Sequence, residues 1–189
     1  MSLKSILNRL EDFPVIAASR EKEALARAGE ADAGIVFALG GDVLELAGQV
    51  RRLQEAGKKV FVHIDLVDGV SRNPAGVRLI ARHIRPDGLI TTRSPLIRVA
   101  AEEGMRTILR MFLLDSASLG SGIKMVRECR PDMVEVMPGL LPEAIAQFKA
   151  AIPQPIIAGG MIVRKDHIYA ALSAGALAVS TSCEALWRE

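Results

Sequence analysis

The chain has 189 residues, a length that fits one domain covering residues 1–189. Hydrophobic residues make up 50% of it, enough for a sizeable core, and 24 basic residues nearly balance 22 acidic ones. This balance neither requires nor excludes a nucleic-acid partner. Because no apolar run reaches the roughly 18 to 20 residues that span a bilayer, we expect a cytoplasmic protein that does not enter the membrane.

Short β-rich runs alternate along the chain with stretches that carry apolar residues at helical spacing. The predicted strands are Val15–Ser19, Gly34–Leu39, Lys59–Asp65, Gly88–Arg93, Arg106–Leu113, Met133–Met137, Pro155–Gly159 and Ala178–Thr181. The predicted helices are Glu21–Ala28, Val43–Ala56, Pro74–Ile84, Pro95–Glu103, Leu119–Cys129, Pro142–Ala151 and Asp166–Ala174. The second helix shows the spacing best, with Val43, Leu46, Val50 and Leu53 on one face.

Eight strands that alternate with helices indicate parallel pairing. A closed barrel and an open doubly wound sheet both fit this order of elements. The count of eight favours an α/β fold of the TIM type, a small (β/α)8 barrel, although such barrels usually run to roughly 250 residues. In a barrel, functional residues collect at the carboxyl ends of the strands.

Several familiar site patterns are missing from the sequence. Cys129 and Cys183 belong to no cluster with zinc spacing, and no GxGxxG motif follows the first strand, so we expect neither a metal nor a cofactor. The arginines of the second and third helical segments, among them Arg51, Arg82 and Arg85, are predicted to lie on solvated helix faces.

Glycines and hydroxyl side chains end the last two strands. Gly159 and Gly160 follow the seventh strand, and the eighth ends in Ser180-Thr181-Ser182 before a short final helix. Glycine lets backbone N–H groups approach an anion closely, and hydroxyls and a helix end add favourable contacts. Phosphate sites after strands seven and eight are common in this architecture. The pattern predicts a small phosphate-bearing ligand here, and the alternative is a tight turn followed by an ordinary helix cap.

The third strand ends in polar residues that share one face. With a period of two, Phe61, His63 and Asp65 point the same way, which places Asp65 at the barrel mouth. Asp65 then either accepts hydrogen bonds from ligand hydroxyls, or acts as a base, or caps a backbone turn. For His63 a satisfied interior histidine is the favoured interpretation.

Two charged residues lie inside apolar strands. Arg110 interrupts the fifth predicted strand and Glu135 lies between Val134 and Val136 in the sixth. A charge in such a strand needs a partner, so we expect the two side chains to pair inside the barrel. The alternative is that one of them reaches the ligand.

Motifs along nearly the whole chain resemble one known family. They are residues 63–69 (His-Ile-Asp-Leu-Val-Asp-Gly), 88–93, 110–116, 134–139, 158–162 and 174–182, closed by Leu186-Trp187. In order and spacing these motifs are similar to those of the glycerol uptake operon antiterminators, which are regulators that respond to glycerol 3-phosphate.

The resemblance implies a barrel that binds glycerol 3-phosphate and controls glycerol-utilisation genes. In that family, control is exerted by binding leader mRNA and preventing premature termination, so the resemblance implies a regulator and not an enzyme. Ligand binding has to favour an RNA-competent conformation or homo-oligomer. The matching strand ends imply a ligand-binding set formed by Asp65, Arg110, Glu135, Gly139, Gly159, Gly160, Ser180 and Ser182.

The alternative function is a barrel enzyme that acts on a small sugar or triose phosphate. Asp65 or Glu135 would then act as the base, and the region of Gly159 and Ser180 would anchor the phosphate. An enzyme would need a convincing catalytic pair at the mouth. The sequence does not clearly offer one, and this feature distinguishes the enzyme hypothesis from the regulator hypothesis.

Overall fold

Eight parallel strands form a closed barrel in the computed structural model, which describes residues 2–188. The strands are β1 (Val15–Ser19), β2 (Ile35–Ala38), β3 (Lys59–His63), β4 (Gly88–Thr91), β5 (Arg106–Phe112), β6 (Met133–Met137), β7 (Ile156–Gly159) and β8 (Ala178–Thr181). Each strand pairs with its neighbours in the chain, and β8 closes the barrel on β1. The predicted TIM-type barrel is therefore confirmed, and the open sheet is excluded.

Helices surround the barrel in the described part of the chain. They are α1 (Leu3–Asp12), α2 (Lys22–Ala28), α3 (Val43–Glu55), α4 (Pro74–Leu79), α5 (Ser94–Glu102), α6 (Ser116–Cys129), α7 (Pro142–Ala151) and α8 (Lys165–Ser173). The barrel strands and these helices bury a large aliphatic layer between them. None of the helices in residues 2–188 is both long and apolar enough to cross a bilayer.

Helix α1 is an element that the sequence interpretation missed. Its Ile6 and Leu10 are 0% and 1% exposed. Both belong to the cluster that fills the barrel interior, together with residues near the start of strands such as Ile35 and Met133. Helix α1 therefore closes the amino-terminal end of the barrel.

The apolar filling of the barrel stops short of its other end. Phe37 and Phe61 pack inside the barrel with their ring centroids 5.8 Å apart in an edge-on arrangement. This layer supports the residues above it, at the carboxyl ends of the strands, where the side chains turn polar.

Several element boundaries differ from the prediction. Strand β3 ends at His63, because Ile64–Leu66 form a 3-10 turn, and β4 ends at Thr91. The predicted helix over residues 74–84 is α4 followed by a π-helical turn, Ile80–Ile84, which ends at Arg85 in the left-handed conformation (φ 57°). Helix α6 begins earlier than predicted because Asp115 and Ser118 form a capping box.

A small ladder that was not predicted joins two loops at the carboxyl end of the barrel. Gly41–Asp42, after β2, pairs in parallel with Val67–Asp68, after the 3-10 turn. Asp42 also caps α3, since its carboxylate accepts a hydrogen bond of 2.8 Å from the Leu44 N–H.

Candidate ligand site at the barrel mouth

One layer of the barrel interior, at its carboxyl end, is polar. The period of two that points Phe61, Ile108, Met133 and Ala178 into the barrel also points inward the residues two positions later. Those residues are His63, Arg110, Glu135 and Ser180, with exposed fractions of 2%, 6%, 0% and 4%. Four strands thus bring four polar side chains to one buried level beneath the mouth.

The carboxylate of Glu135 is the hub of this layer. Arg110 Nε donates a hydrogen bond of 2.6 Å to Glu135 Oε2, and Ser180 Oγ donates one of 2.5 Å to Glu135 Oε1. Arg110 and Glu135 also face each other in the β5–β6 register. The predicted pair inside the barrel is confirmed. A buried carboxylate destabilises the fold unless it is paired and hydrogen-bonded. The side chains of Arg110, Glu135 and Ser180 are therefore fixed in one arrangement.

Gly159 lies against this network. A Cβ atom at this position would be 2.5 Å from Glu135 Oε1 and 2.6 Å from Ser180 Oγ. The lack of a side chain on β7 therefore leaves room for the hydrogen bond that crosses from β6 to β8. Gly139 supports the same turn, since its N–H donates 2.6 Å to the Gly159 carbonyl and is not free for a ligand.

The turn after β7 and the end of β8 lie side by side at the barrel mouth. Gly160 has a φ of 77° and is followed by Met161 at 64°, so the chain bends sharply above β7. The Gly160 N–H lies at the end of the β7–β8 ladder and faces the Ser180 carbonyl, because Ser180 pairs with Gly159. Within residues 2–188, the Ser182 N–H donates to no protein acceptor. Gly160 is half-buried and Ser182 is exposed, so both can be reached from the mouth. The Ser182 N–H and hydroxyl, next to a turn that has no side chain at Gly160, are suited to an anion.

The final helix predicted after β8 is only a 3-10 turn, Glu184–Leu186. Its first residue, Glu184, is an acid that pairs with Arg27 at 2.6 Å. A single turn carrying a carboxylate at its start adds little positive potential. The sequence-based expectation that a helix end contributes to anion binding is therefore wrong. Backbone amides and hydroxyl groups are the remaining candidates for contacts with an anion.

Asp65 lies in the 3-10 turn after β3 and is 9% exposed. Its Oδ2 accepts hydrogen bonds from Thr92 N (2.7 Å) and Thr92 Oγ1 (2.9 Å), and Thr91 Oγ1 lies 3.1 Å from both carboxylate oxygens. The interpretation of Asp65 as a backbone cap is confirmed. These contacts join the turn after β3 to the end of β4, and the two threonine partners were not predicted.

His63 is an interior residue, as expected, but it is not satisfied. Its Nδ1 is buried without a hydrogen-bond partner and lies 3.9 Å from Asp65 Oδ2. Burial is the main cause that lowers the pKa of His63 to about 4, and the Arg110 cation acts in the same direction against the opposing effect of Asp65. The imidazole is therefore neutral near pH 7.

Cations lie around the mouth as well as within it. Arg93 Nε is 3.7 Å from Asp65 Oδ1, with 54% of the side chain exposed. Arg20 follows β1 at the surface and contributes to the low pKa of His63. Since Arg110 is paired with Glu135 and Arg93 lies beside Asp65, these three arginines and two carboxylates leave one net positive charge where an anionic ligand would enter. Among the described residues, no three His, Cys, Asp or Glu side chains are arranged to hold a metal ion.

The family can be assigned from comparisons with known proteins. The model of the glycerol-3-phosphate responsive antiterminator family matches residues 15–187. The chain belongs to this family. It is 31% identical to YgcP of Escherichia coli K12 over 182 residues, which are 96% of this chain and 95% of YgcP.

Solved structures agree with membership of the antiterminator family. A glycerol uptake operon antiterminator regulatory protein from Listeria monocytogenes is 31% identical, with a TM-score of 0.89 over 93% of this chain and 95% of the other. An antiterminator-related protein from Thermotoga maritima is 29% identical, with a TM-score of 0.81 over 92% and 96% of the two chains. A deoxyribose phosphate aldolase from Aeropyrum pernix, 13% identical, has a TM-score of 0.72 over 99% and 97% and shares the barrel fold.

Proposed function

We propose that this antiterminator family member binds glycerol 3-phosphate at the barrel mouth and then binds leader mRNA, so that transcription of glycerol-utilisation genes continues past a terminator. The family description supports both steps, since it gives the signal and the output. The observation that carries the ligand step is the Ser182 N–H, which is without a protein acceptor among the described residues and lies beside the bent glycine turn at Gly160, above the buried pair of Arg110 and Glu135.

The phosphate end of the ligand belongs at β7 and β8. The Ser182 amide and hydroxyl donate hydrogen bonds to phosphate oxygens beside the Gly160 turn, and the Arg110 cation adds attraction from below. Glu135, Ser180, Gly159 and Gly139 have a positioning role, because their contacts with one another shape the turn next to these donors.

The hydroxyl end of the ligand belongs on the side of β3 and β4. Asp65 offers carboxylate oxygens there, and His63 lies beside it with an unpartnered ring nitrogen. In the closed barrel β3 is opposite β7. Glycerol 3-phosphate therefore lies across the mouth, with its hydroxyls near Asp65 and its phosphate near Ser182. A molecule that lacks either end makes only half of these contacts.

Calorimetry with glycerol 3-phosphate, glycerol and inorganic phosphate tests the ligand step. We expect binding of glycerol 3-phosphate and much weaker binding of either fragment. In Gly160→Val the affinity falls at least about tenfold, because a side chain blocks the close approach to the backbone. Gly57→Val is a matched control: Gly57 also has positive φ (80°), but no atom lies within 4 Å of its added Cβ. Unchanged affinity in a folded Gly160→Val variant would place the pocket elsewhere.

An electrophoretic shift with the leader transcript, with and without glycerol 3-phosphate, tests the regulatory step. We expect specific binding that is stronger with the ligand. The absence of specific binding in both states would reject the regulatory proposal. Turnover of a phosphorylated polyol that disappears in Asp65→Asn would support the enzyme alternative in its place; the likeness to the aldolase, at 13% identity, supports only the fold.

A further inference from the structure

A basic groove lies between α3 and the π-helical turn after α4, away from the mouth. It encloses a cavity of 390 Å³ lined by Ala47, Gly48, Arg51, Gln54, Arg82, His83, Ile84 and Arg85. Four of these eight side chains are arginine or histidine, and the lining described here includes no Asp or Glu. The fold thus brings together arginines that the sequence distributes over two separate helical faces.

Hydrogen bonds fix the shape of this groove from both sides. The π-helical turn ends at Arg85, whose N–H donates 2.9 Å to the Ile80 carbonyl. Gln54 Nε2, on α3, donates to the Arg85 carbonyl (3.1 Å) and to Asp87 Oδ2 (3.0 Å). The turn is therefore held at a set distance from α3. Single π-helical turns are rare and frequently occur at functional sites.

The positive charge of the groove is only partly neutralised. Arg82 forms a two-pronged ion pair with Glu103, at 2.9 and 3.0 Å. Arg51 is 3.9 Å from Glu55, and since 77% and 68% of these two side chains are exposed, the pair is weak. Arg85 Nε donates to the Arg82 carbonyl, and in the described part of the chain Arg85 contacts no carboxylate. Arg51 and Arg85 therefore leave positive charge available to a partner.

We propose that this groove binds the phosphodiester backbone of RNA, with Arg51 and Arg85 as the principal phosphate contacts. The proposal rests on the proposed function and gives it a location. Guanidinium groups match phosphate oxygens in pairs, and the small Ala47 and Gly48 let a strand approach α3. Contacts of this kind position RNA without reading its sequence, so base recognition belongs to other residues.

A matched pair of double variants tests the groove. Arg51→Gln with Arg85→Asn removes both contacts, and asparagine tolerates the left-handed backbone of residue 85. Lys124→Gln with Arg130→Asn is the control on α6. Lys124 is also 3.9 Å from a glutamate four residues later, and Arg130 also has positive φ (49°). Each double variant removes two cations and one weak ion pair, and the groove variant also loses the hydrogen bond from Arg85 Nε to the Arg82 carbonyl.

The measurement is fluorescence anisotropy of a labelled mixed-sequence single-stranded RNA of 20 nucleotides, over a KCl series. Each lost phosphate contact lowers the slope of log K against log salt by about 0.7 to 1. The groove variant should therefore lose about 1.4 to 2 in slope, and roughly tenfold in affinity at low salt. The control variant should stay within about twofold of the wild type.

Four results would overturn the proposal, and they are distinguishable. Equal losses in both double variants would show that RNA is held by diffuse charge. Wild-type binding to poly-glutamate as tight as to RNA would show selection of acidic chains and not of phosphodiesters. Wild-type RNA binding that the groove variant retains would reject the groove and leave the proposed function intact, whereas no RNA binding by the wild type would reject the regulatory function itself.

Discussion

A methyl group on Gly159 would lie 2.5 Å from Glu135 Oε1, closer than any normal contact. The missing side chain on β7 is thus what allows the β6 carboxylate to reach Ser180 on β8. The sequence analysis assigned Gly159 to the close approach of a ligand. In the structure, the space beside Gly159 is occupied by the hydrogen bond between Glu135 and Ser180, so Gly159 acts on a ligand only indirectly, by allowing that bond to form.

Gly159→Ala should destabilise the fold as well as the site. The extra methyl group forces Glu135 or Ser180 to move, and overpacking of this kind costs about 1 to 3 kcal/mol in the free energy of unfolding. Urea denaturation measures it. Gly120→Ala on α6 is the control, since no atom lies within 4 Å of its added Cβ, and it should be neutral or slightly stabilising. Equal stability of the two variants would show that Glu135 and Ser180 yield at little cost.

Replacing only one partner of the Arg110–Glu135 pair should lower the free energy of unfolding more than replacing both partners with apolar residues. Glu135→Gln leaves a cation that is 6% exposed without its counterion, which costs about 3 to 5 kcal/mol of stability. The triple variant Arg110→Met, Glu135→Leu, Ser180→Ala removes every member of the network and should regain most of that loss.

The same triple variant separates stability from ligand binding. It should fold but fail to bind glycerol 3-phosphate in calorimetry, because the cation below the phosphate position is gone. A triple variant that is as unstable as Glu135→Gln would mean that the network is required for folding. Full retention of ligand affinity would remove Arg110 from the proposed site.

Leu10→Ala should show that α1 is part of the barrel core. Leu10 is 1% exposed and packs against the apolar filling at the amino-terminal end, so its truncation should cost about 2 to 5 kcal/mol. Leu44→Ala, at a side chain that is 86% exposed, should change stability by no more than about 0.5 kcal/mol. If Leu10→Ala changed the free energy of unfolding as little as Leu44→Ala does, α1 would not close the barrel in solution.

The barrel was predictable because its signals are local and periodic. Strands β1 and β6 have the bounds that their apolar runs predict, Val15–Ser19 and Met133–Met137. The pairing of Arg110 with Glu135 followed from the cost of placing a charge in an apolar strand. Helix α1 was missed although Leu3, Ile6, Leu7 and Leu10 have helical spacing, so the signal for it was present in the sequence.

The remaining features depend on how distant loops meet. The hydrogen bonds from Thr92 to Asp65 require the 3-10 turn that ends β3, and a strict period of two does not predict that turn. The unpartnered nitrogen of His63 depends on the neighbours that surround it. Arg51 and Arg85 share a groove only because the π-helical turn brings residue 85 towards α3.

His63 should make the stability of the protein depend on pH between about 4 and 6.5. Its pKa is about 4 in the folded protein and 6.5 in the unfolded chain. As the pH falls through this window, His63 becomes protonated in the unfolded state but stays neutral in the folded state. The free energy of unfolding therefore falls, by at most about 3 kcal/mol, and below pH 4 this group causes no further loss.

Urea denaturation of the wild type and of His63→Gln at pH 7.5 and 5.0 tests this expectation. Both proteins contain the same carboxylates, so the difference between the two pH dependences reports the loss of His63. The wild type should lose more stability than the variant on going to pH 5.0, by about 1.4 kcal/mol per pH unit below 6.5. The chain has three histidines, so proton NMR identifies the His63 ring signal as the one missing from the variant. A midpoint near 6.5 for that signal, with parallel pH dependences, would show that the imidazole is solvated and not buried beside Arg110.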